Sequence, residues 1–257
     1  MYDEATSAAR NTNKTYPKLL LTSRGYGSIE RQFKKFPTIR LKAEEQTPAI
    51  SADIELLVNS EIEELGEAWD LTDGDREMLR HNLIKGADRT FLWVSLILKI
   101  LHGIPFVNEH EFRTILSDIP SDLDALYEKI LRNSTKPAMA KKLLQIVVAA
   151  ARPLTLTEID IALGVQPHTK SLEDVQPYRL RSLETSVKDI CGLFVKVIDS
   201  KVYLIHQTAK EFLMKPSSTN PTIENSMWKQ LLCPIESNLT LAQSCIYYLL
   251  FTASGKN

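Results

Sequence analysis

Between Arg152 and Leu213 the apolar positions change period, and that change marks out a folding unit. Ile159, Ala162 and Leu163 fall on one helical face that stops at Gly164. Thr155, followed three residues later by Glu158, gives that helix a capping-box start, in which side chain and backbone satisfy each other's spare hydrogen-bonding groups. Leu183, Val187, Ile190 and Cys191 repeat the helical spacing, and Gly192 closes it. From there the period is two. Leu193, Val195 and Val197 alternate with Phe194 and Lys196, Asp199-Ser200 supplies a turn, and Val202, Leu204 and His206 alternate with Tyr203 and Ile205. The alternation predicts a hairpin of Leu193–Val197 and Val202–His206, with His206 facing inward beside Val202 and Leu204. Thr208 and Glu211 repeat the capping-box pattern ahead of Ala209, Phe212 and Leu213. A further helix, with Leu143, Ile146, Val147 and Ala150 on its buried face, precedes Arg152. Helix, helix, helix, hairpin is the order of a winged helix.

The chain before this unit has two characters. Its first fifteen residues are polar and predict a frayed end. Leu19-Leu20-Leu21, ending in Thr22-Ser23-Arg24, predicts a short buried parallel strand over Lys18–Ser23, and Thr38–Leu41 predicts a second. Two such strands make no stable sheet alone, so either they pair locally or the rest of their sheet lies outside this chain. From Ser51 the pattern is helical. Ile54, Leu57, Val58, Ile62 and Leu65 form one stripe, and Thr72-Asp73-Gly74-Asp75 breaks it. A helix from about Arg76 to His81 follows, then Phe91–Leu101, which is apolar all round and predicts a buried helix ended by Gly103 and Pro105. Glu111–Ser117 is another short helix. Ser121 stands as a cap for the next one, where Leu123, Leu126, Tyr127, Ile130 and Leu131 fit the helical template. After Leu213 a looser stretch with Pro216, Pro221 and Pro234 leads to a last helix, with Leu239, Ala242, Ile246 and Leu249 at helical spacing.

Composition narrows what this framework does. The 257 residues carry a formal net charge of −1, so there is no global attraction to nucleic acid or to an acidic membrane. The longest apolar run is too short to span a bilayer and contains Lys99, and the start has no signal-peptide pattern. Three cysteines, Cys191, Cys233 and Cys245, show neither metal nor redox spacing, and their odd number speaks for a reduced, cytoplasmic setting. The five histidines show no metal-ligand spacing, and no metal or other cofactor is expected. Gly25-Tyr26-Gly27-Ser28 is not a nucleophile elbow, and no catalytic residue is expected. The helix from about Arg181 to Cys191 holds the recognition position of a DNA-binding winged helix. Its outward residues Glu184, Thr185, Ser186, Lys188 and Asp189 are mixed in sign, and Arg179 and Arg181 form no stripe.

A series of ordered motifs carries a resemblance. Leu20-Leu21-Thr22-Ser23-Arg24, Gly86-Ala87-Asp88-Arg89-Thr90-Phe91-Leu92-Trp93-Val94 and Ile119-Pro120-Ser121-Asp122-Leu123 lead into Leu126-Tyr127-Glu128-Lys129-Ile130-Leu131. Arg152-Pro153-Leu154-Thr155 and Leu204-Ile205-His206-Gln207-Thr208-Ala209-Lys210-Glu211-Phe212-Leu213 lie in the winged helix, and Leu241-Ala242-Gln243-Ser244-Cys245 follows it. Together they resemble the carboxyl-terminal part of a NACHT-type signalling NTPase of filamentous fungi, within the larger STAND class. The likeness implies that Arg24 ends a sensor strand near the terminal phosphate, and that His206 contacts the diphosphate of the resting state. It also implies that the last segment would precede ankyrin or WD repeats. The family's phosphate loop, Gly-x-x-x-x-Gly-Lys-Ser/Thr, and its acidic magnesium-holding strand do not occur in this sequence. Their absence predicts a truncated product or a fragment.

The expected protein is therefore mostly α-helical, with a polar amino terminus (1–16), a remnant of an α/β NTPase sheet (17–46), a helical domain (47–118), a winged-helix domain (119–215), and a linker with a terminal helix (216–257). By resemblance it is a regulatory lid and relay in fungal non-self recognition or cell-death signalling, without NTPase activity of its own. Its partners would be proteins, self-association through the missing core surface included, rather than nucleic acid or membrane. Two other readings stand beside it: a winged-helix nucleic-acid binder, and a decayed relative with no independent activity.

Overall fold

The computed structural model describes residues 19–23, 27–39, 43–87, 90–105, 107–166, 169, 172–175, 180–214 and 226–254. By its contacts the chain divides into two units, Met1–Gln46 and Thr47–Asn257.

In the first unit, α1 (Gly27–Phe33) buries none of its residues. The strand expected over Lys18–Ser23 does not form in the described part: Leu19–Ser23 belongs to no sheet, and Leu19, Leu20 and Leu21 are 69–88% exposed. A short apolar run becomes a strand only when a neighbouring strand takes up its backbone N–H and C=O groups, and no strand among the described residues pairs with this one. Thr38 and Ile39 are likewise irregular, and Arg40 and Leu41 lie outside the described residues.

Three helices come next. Along α2 (Ala43–Ala68) the residues Ile54, Val58, Ile62 and Leu65 recur at helical spacing and are all buried. Helix α3 (Asp73–Ala87) starts earlier than the hydrophobic pattern suggests, because Thr72 and Asp75 cap it reciprocally: the Asp75 amide donates to the Thr72 hydroxyl, and Asp75 accepts from the Thr72 amide and hydroxyl. Helix α4 (Phe91–His102) buries Trp93, Val94, Leu96, Ile97, Leu98 and Leu101, as its all-round apolarity requires. The indole N–H of Trp69, just past α2, donates to the carbonyl of Ile104, just past α4, at 3.1 Å. Two short helices follow, α5 (Glu109–Ser117), capped by Asn108 with Glu111, and α6 (Leu123–Arg132). The cap of α6 is Asp122 rather than Ser121; its carboxylate accepts from the Ala125 amide at 2.8 Å, while the Ser121 hydroxyl only donates to Asp122.

The winged helix follows the predicted order. Helix α7 (Pro137–Ala149) and α8 (Leu156–Gly164) are separated by β1 (Leu154–Thr155), and α9 (Leu172–Val175) precedes α10 (Leu183–Cys191). Gly192–Phe194 is a turn of 3-10 helix leading into β2 (Val195–Ile198), and β3 (Lys201–Leu204) returns. The three strands pair antiparallel in the order β1-β3-β2, with Val197 opposite Val202 and Leu154 opposite Val202 on its other side. Asp199 and Ser200 turn the hairpin with φ of 49° and 58°, the left-handed conformation that two-residue hairpin loops demand. Gly192 has φ 58° and ψ −144°, a region only glycine occupies without strain. The capping box of α8 is complete, with the Glu158 amide on the Thr155 hydroxyl and the Thr155 amide on the Glu158 carboxylate. Arg152 pairs with Glu158 at 2.6 Å and is the foremost cause, ahead of the Thr155 bonds, that holds this carboxyl down at about 2.

Helix α11 (Gln207–Leu213) packs Ala209, Phe212 and Leu213 into the core beside Tyr127 and Phe194. The last helix, α12 (Pro234–Ser254), lies along α7 and α8. Its docked edge is small and polar: Ser237 and Ser244 are buried, the Ser244 hydroxyl donates to the Ala162 carbonyl, and the Thr240 hydroxyl donates to Gln145. The apolar spacing read from its sequence points outward, and Ile235, Leu239, Ile246, Leu249 and Leu250 are 53–78% exposed.

Candidate functional site

Of the two contact candidates singled out by sequence, His206 stands at the start of α11, where strand becomes helix. Strand β3 ends at Leu204, and the Ile205 amide donates to the Phe194 carbonyl at 3.0 Å. His206 is extended, with φ −156° and ψ 164°, and is itself the cap of α11. The cap expected at Thr208 thus lies two residues too late. His206 is exposed, which overturns its inward placement: the alternation ends with β3, and the next backbone step turns its ring to the surface.

The ring nevertheless connects to the core. Nδ1 accepts from the Thr208 amide at 3.2 Å and lies 2.9 Å from the Thr208 hydroxyl. That hydroxyl lies 2.9 Å from the hydroxyl of Tyr127, a fully buried residue of α6. The amide can only donate, so Nδ1 carries a lone pair and the neutral ring bears its proton on Nε2. The chain then runs in one direction, with Tyr127 donating to Thr208, Thr208 donating to Nδ1, and the Nε2 proton remaining as the ring's second donor. Burial first of all pushes the Tyr127 phenol up, so it stays protonated and serves as a donor.

Beside Tyr127, Glu128 turns to a different segment. One carboxylate oxygen accepts from the Ser226 hydroxyl at 2.6 Å and the Trp228 amide at 3.0 Å; the other accepts from the Met227 amide and Arg132, both at 2.8 Å. Burial raises this carboxyl, and the bonds to Ser226, Arg132, Met227 and Trp228 together outweigh it, so it titrates below its ordinary value. The segment is further held by the Gln230 amide on the Phe212 carbonyl and the Leu232 amide on the Leu213 carbonyl. Sequence spacing gave no sign of this clamp, whose partners lie 98–100 residues apart.

Arg24, the other candidate contact, lies outside the described residues, as does Arg179. The exposed face of α10 is not basic, because Lys188 pairs with Glu184 at 2.7 Å and Asp189, next to it in sequence, adds a further negative charge. Cys191 is buried, and its thiol is pushed up to about 12 by that burial. An open groove of about 400 Å³ runs past Lys136, Met139, Lys142 and Leu163. Lys142 donates there to the Leu163 carbonyl at 2.9 Å, so its ammonium caps the carboxyl end of α8. No described helix is long and apolar enough to cross a membrane.

Residues 127–221 match the family described as the winged helix domain of GPI inositol-deacylase. The chain is also 31% identical over 208 residues to Vegetative incompatibility protein HET-E-1 of Podospora anserina. That match takes in 78% of this chain but 14% of the length of the relative. No solved structure matches.

Proposed function

We propose that this chain, a carboxyl-terminal region of the fungal NACHT type by its ordered motifs and by both matches, serves as the lid and relay of a signalling NTPase. The observation that carries the reading is the placement of His206. A lid that touches a nucleotide held by another domain must present its donor outward, and the exposed His206 ring does so with a proton on Nε2. Thr208 and Tyr127 fix the ring from behind, so a contact at Nε2 is coupled through two hydroxyls to the core of the winged helix. Surface exposure, not the inward placement read from the alternation, is what a contact between domains requires.

By this reading the chain has no NTPase activity of its own. Phosphate recognition needs several converging donors, and only Arg24 and His206 are at hand. Two charge-assisted bonds contribute at most about 6 kcal/mol before association costs, against about 8 kcal/mol for micromolar affinity. Calorimetric titration with ATP or ADP and magnesium should show no binding tighter than high micromolar. Joined to a phosphate-loop-bearing core of the family, the chain should slow ADP release, and His206→Ala should restore fast release. Micromolar nucleotide binding by the isolated chain, or unaltered release in the variant, would overturn the reading. The nucleic-acid alternative lacks its positive helix face, since Lys188 is neutralised by Glu184.

A further inference from the structure

We infer that Glu61 and Glu64 of α2 and His102 of α4 form a site for a divalent transition-metal ion of the zinc type. One donor atom from each, two carboxylate oxygens and an imidazole nitrogen, all lie within 4.8 Å of one another. Glu61 and Glu64 are three residues apart, so they stand on the same face of α2, one turn apart. His102 is the last residue of α4 and reaches them from a second helix, with Nε2 at 2.7 Å from Glu61.

The scaffold fixes this meeting independently of the three side chains. Ile62 and Leu65, next to the two glutamates, are buried, and so is Leu101, next to the histidine. Just beyond both helices the bond from Trp69 to the Ile104 carbonyl ties them together. The donors therefore arrive on rigid elements and need only small side-chain rotations to close on one ion.

The donor set selects the ion. Calcium and magnesium favour oxygen alone, whereas an imidazole with two carboxylates suits zinc, cobalt and manganese. Charge points the same way. His102 can neutralise only one carboxylate, and only when protonated, while a divalent ion neutralises both and leaves the imidazole as a neutral ligand. The side chains of His102 and Glu61 are 34% and 30% exposed, which leaves room for water to complete the coordination. Three protein ligands with an open position is the arrangement of a reactive or exchangeable site rather than of a closed structural one. Sequence spacing could not show it, because the histidine lies 41 residues from Glu61.

The alternative is a plain ion pair between Glu61 and His102, and Glu64 separates the two. Titration of the metal-free chain with zinc chloride should give one ion per chain and a raised melting temperature. His102→Gln should abolish the binding, and Glu64→Gln should weaken it at least about tenfold while leaving the melting temperature of the metal-free chain unchanged. Cobalt should give a ligand-field spectrum without a thiolate charge-transfer band, which sets the site apart from Cys233 and Cys245. Absence of zinc binding, binding that survives both substitutions, or a thiolate band would overturn the site.

Discussion

Replacing Glu128 tests how the segment after α11 is held. Its side chain is 14% exposed and takes a hydroxyl and two backbone amides from Ser226–Trp228 in addition to Arg132. Hydrogen bonds to a charged group each contribute about 1.5–3 kcal/mol, but bonds sharing one carboxylate are not additive. Glu128→Ala is therefore expected to cost about 3 kcal/mol, much of it from the Trp228 and Met227 amides left without an acceptor. Glu128→Gln keeps one oxygen and turns an NH2 toward two donors, so it should cost about 2 kcal/mol. Arg132→Ala removes an exposed i,i+4 ion pair and leaves the Ser226–Trp228 bonds in place, so it should cost much less than Glu128→Ala. Urea unfolding followed by tryptophan fluorescence measures all three, since Trp228 is buried and reports the release of its segment. The Glu128 carboxyl is depressed in the folded state, so its contribution is present above the unfolded value and is lost as pH falls through the folded one. The gap between the parent chain and Glu128→Gln should accordingly narrow below about pH 4. A loss under about 1 kcal/mol for Glu128→Ala, or an equal loss for Arg132→Ala, would refute the clamp.

Other expectations follow from the same structure. Thr155→Ala should cost about 1 kcal/mol in urea unfolding, by removing the cap of α8. The Glu158 carboxyl should titrate at about 2 by carbon-detected NMR, and its bonds to Arg152 and Thr155 should persist until pH falls through that value. Gly192→Ala should destabilise by about 1–3 kcal/mol, because the backbone there is open only to glycine and the new methyl would stand 3.2 Å from Ile130. Thr208→Val, which leaves the buried Tyr127 hydroxyl without its acceptor, should cost about 1–3 kcal/mol; Tyr127→Phe together with Thr208→Val should cost less than the sum of the two single changes.

The winged helix was legible because local signals there agree with the tertiary result. The Thr155–Glu158 box, the break at Gly192 and the turn at Asp199-Ser200 are decided by backbone geometry within a few residues. Failures came where a partner lay far along the chain. Leu19-Leu20-Leu21 reads as a strand on apolar content, yet pairing decides strands, and no described strand pairs with it. At His206 alternation was carried one pair of residues past the end of β3, so a surface cap was read as a core residue. Only the order of motifs pointed to His206, and its tie to Tyr127, 79 positions upstream, appears in no local pattern. The metal-ligating triad and the Glu128 clamp are likewise products of packing. In α12 the spacing named the helix but not the face it buries, because Ser237, Thr240 and Ser244 allow a close polar dock that leaves the leucines outside.

The outward stripe of α12 governs how the protein behaves in a tube. Ile235, Leu239, Ile246, Leu249 and Leu250 face water there, while the whole chain carries a net charge of −1 and is isoelectric near pH 6.5. Near neutrality there is little long-range repulsion to keep two such stripes apart. Colloidal stability should therefore pass through a minimum close to pH 6.5 and improve several pH units to either side. Ammonium sulfate, which strengthens apolar burial by its exclusion from protein surfaces, should precipitate the chain early, and replacing Leu239 and Ile246 with glutamate should delay the onset.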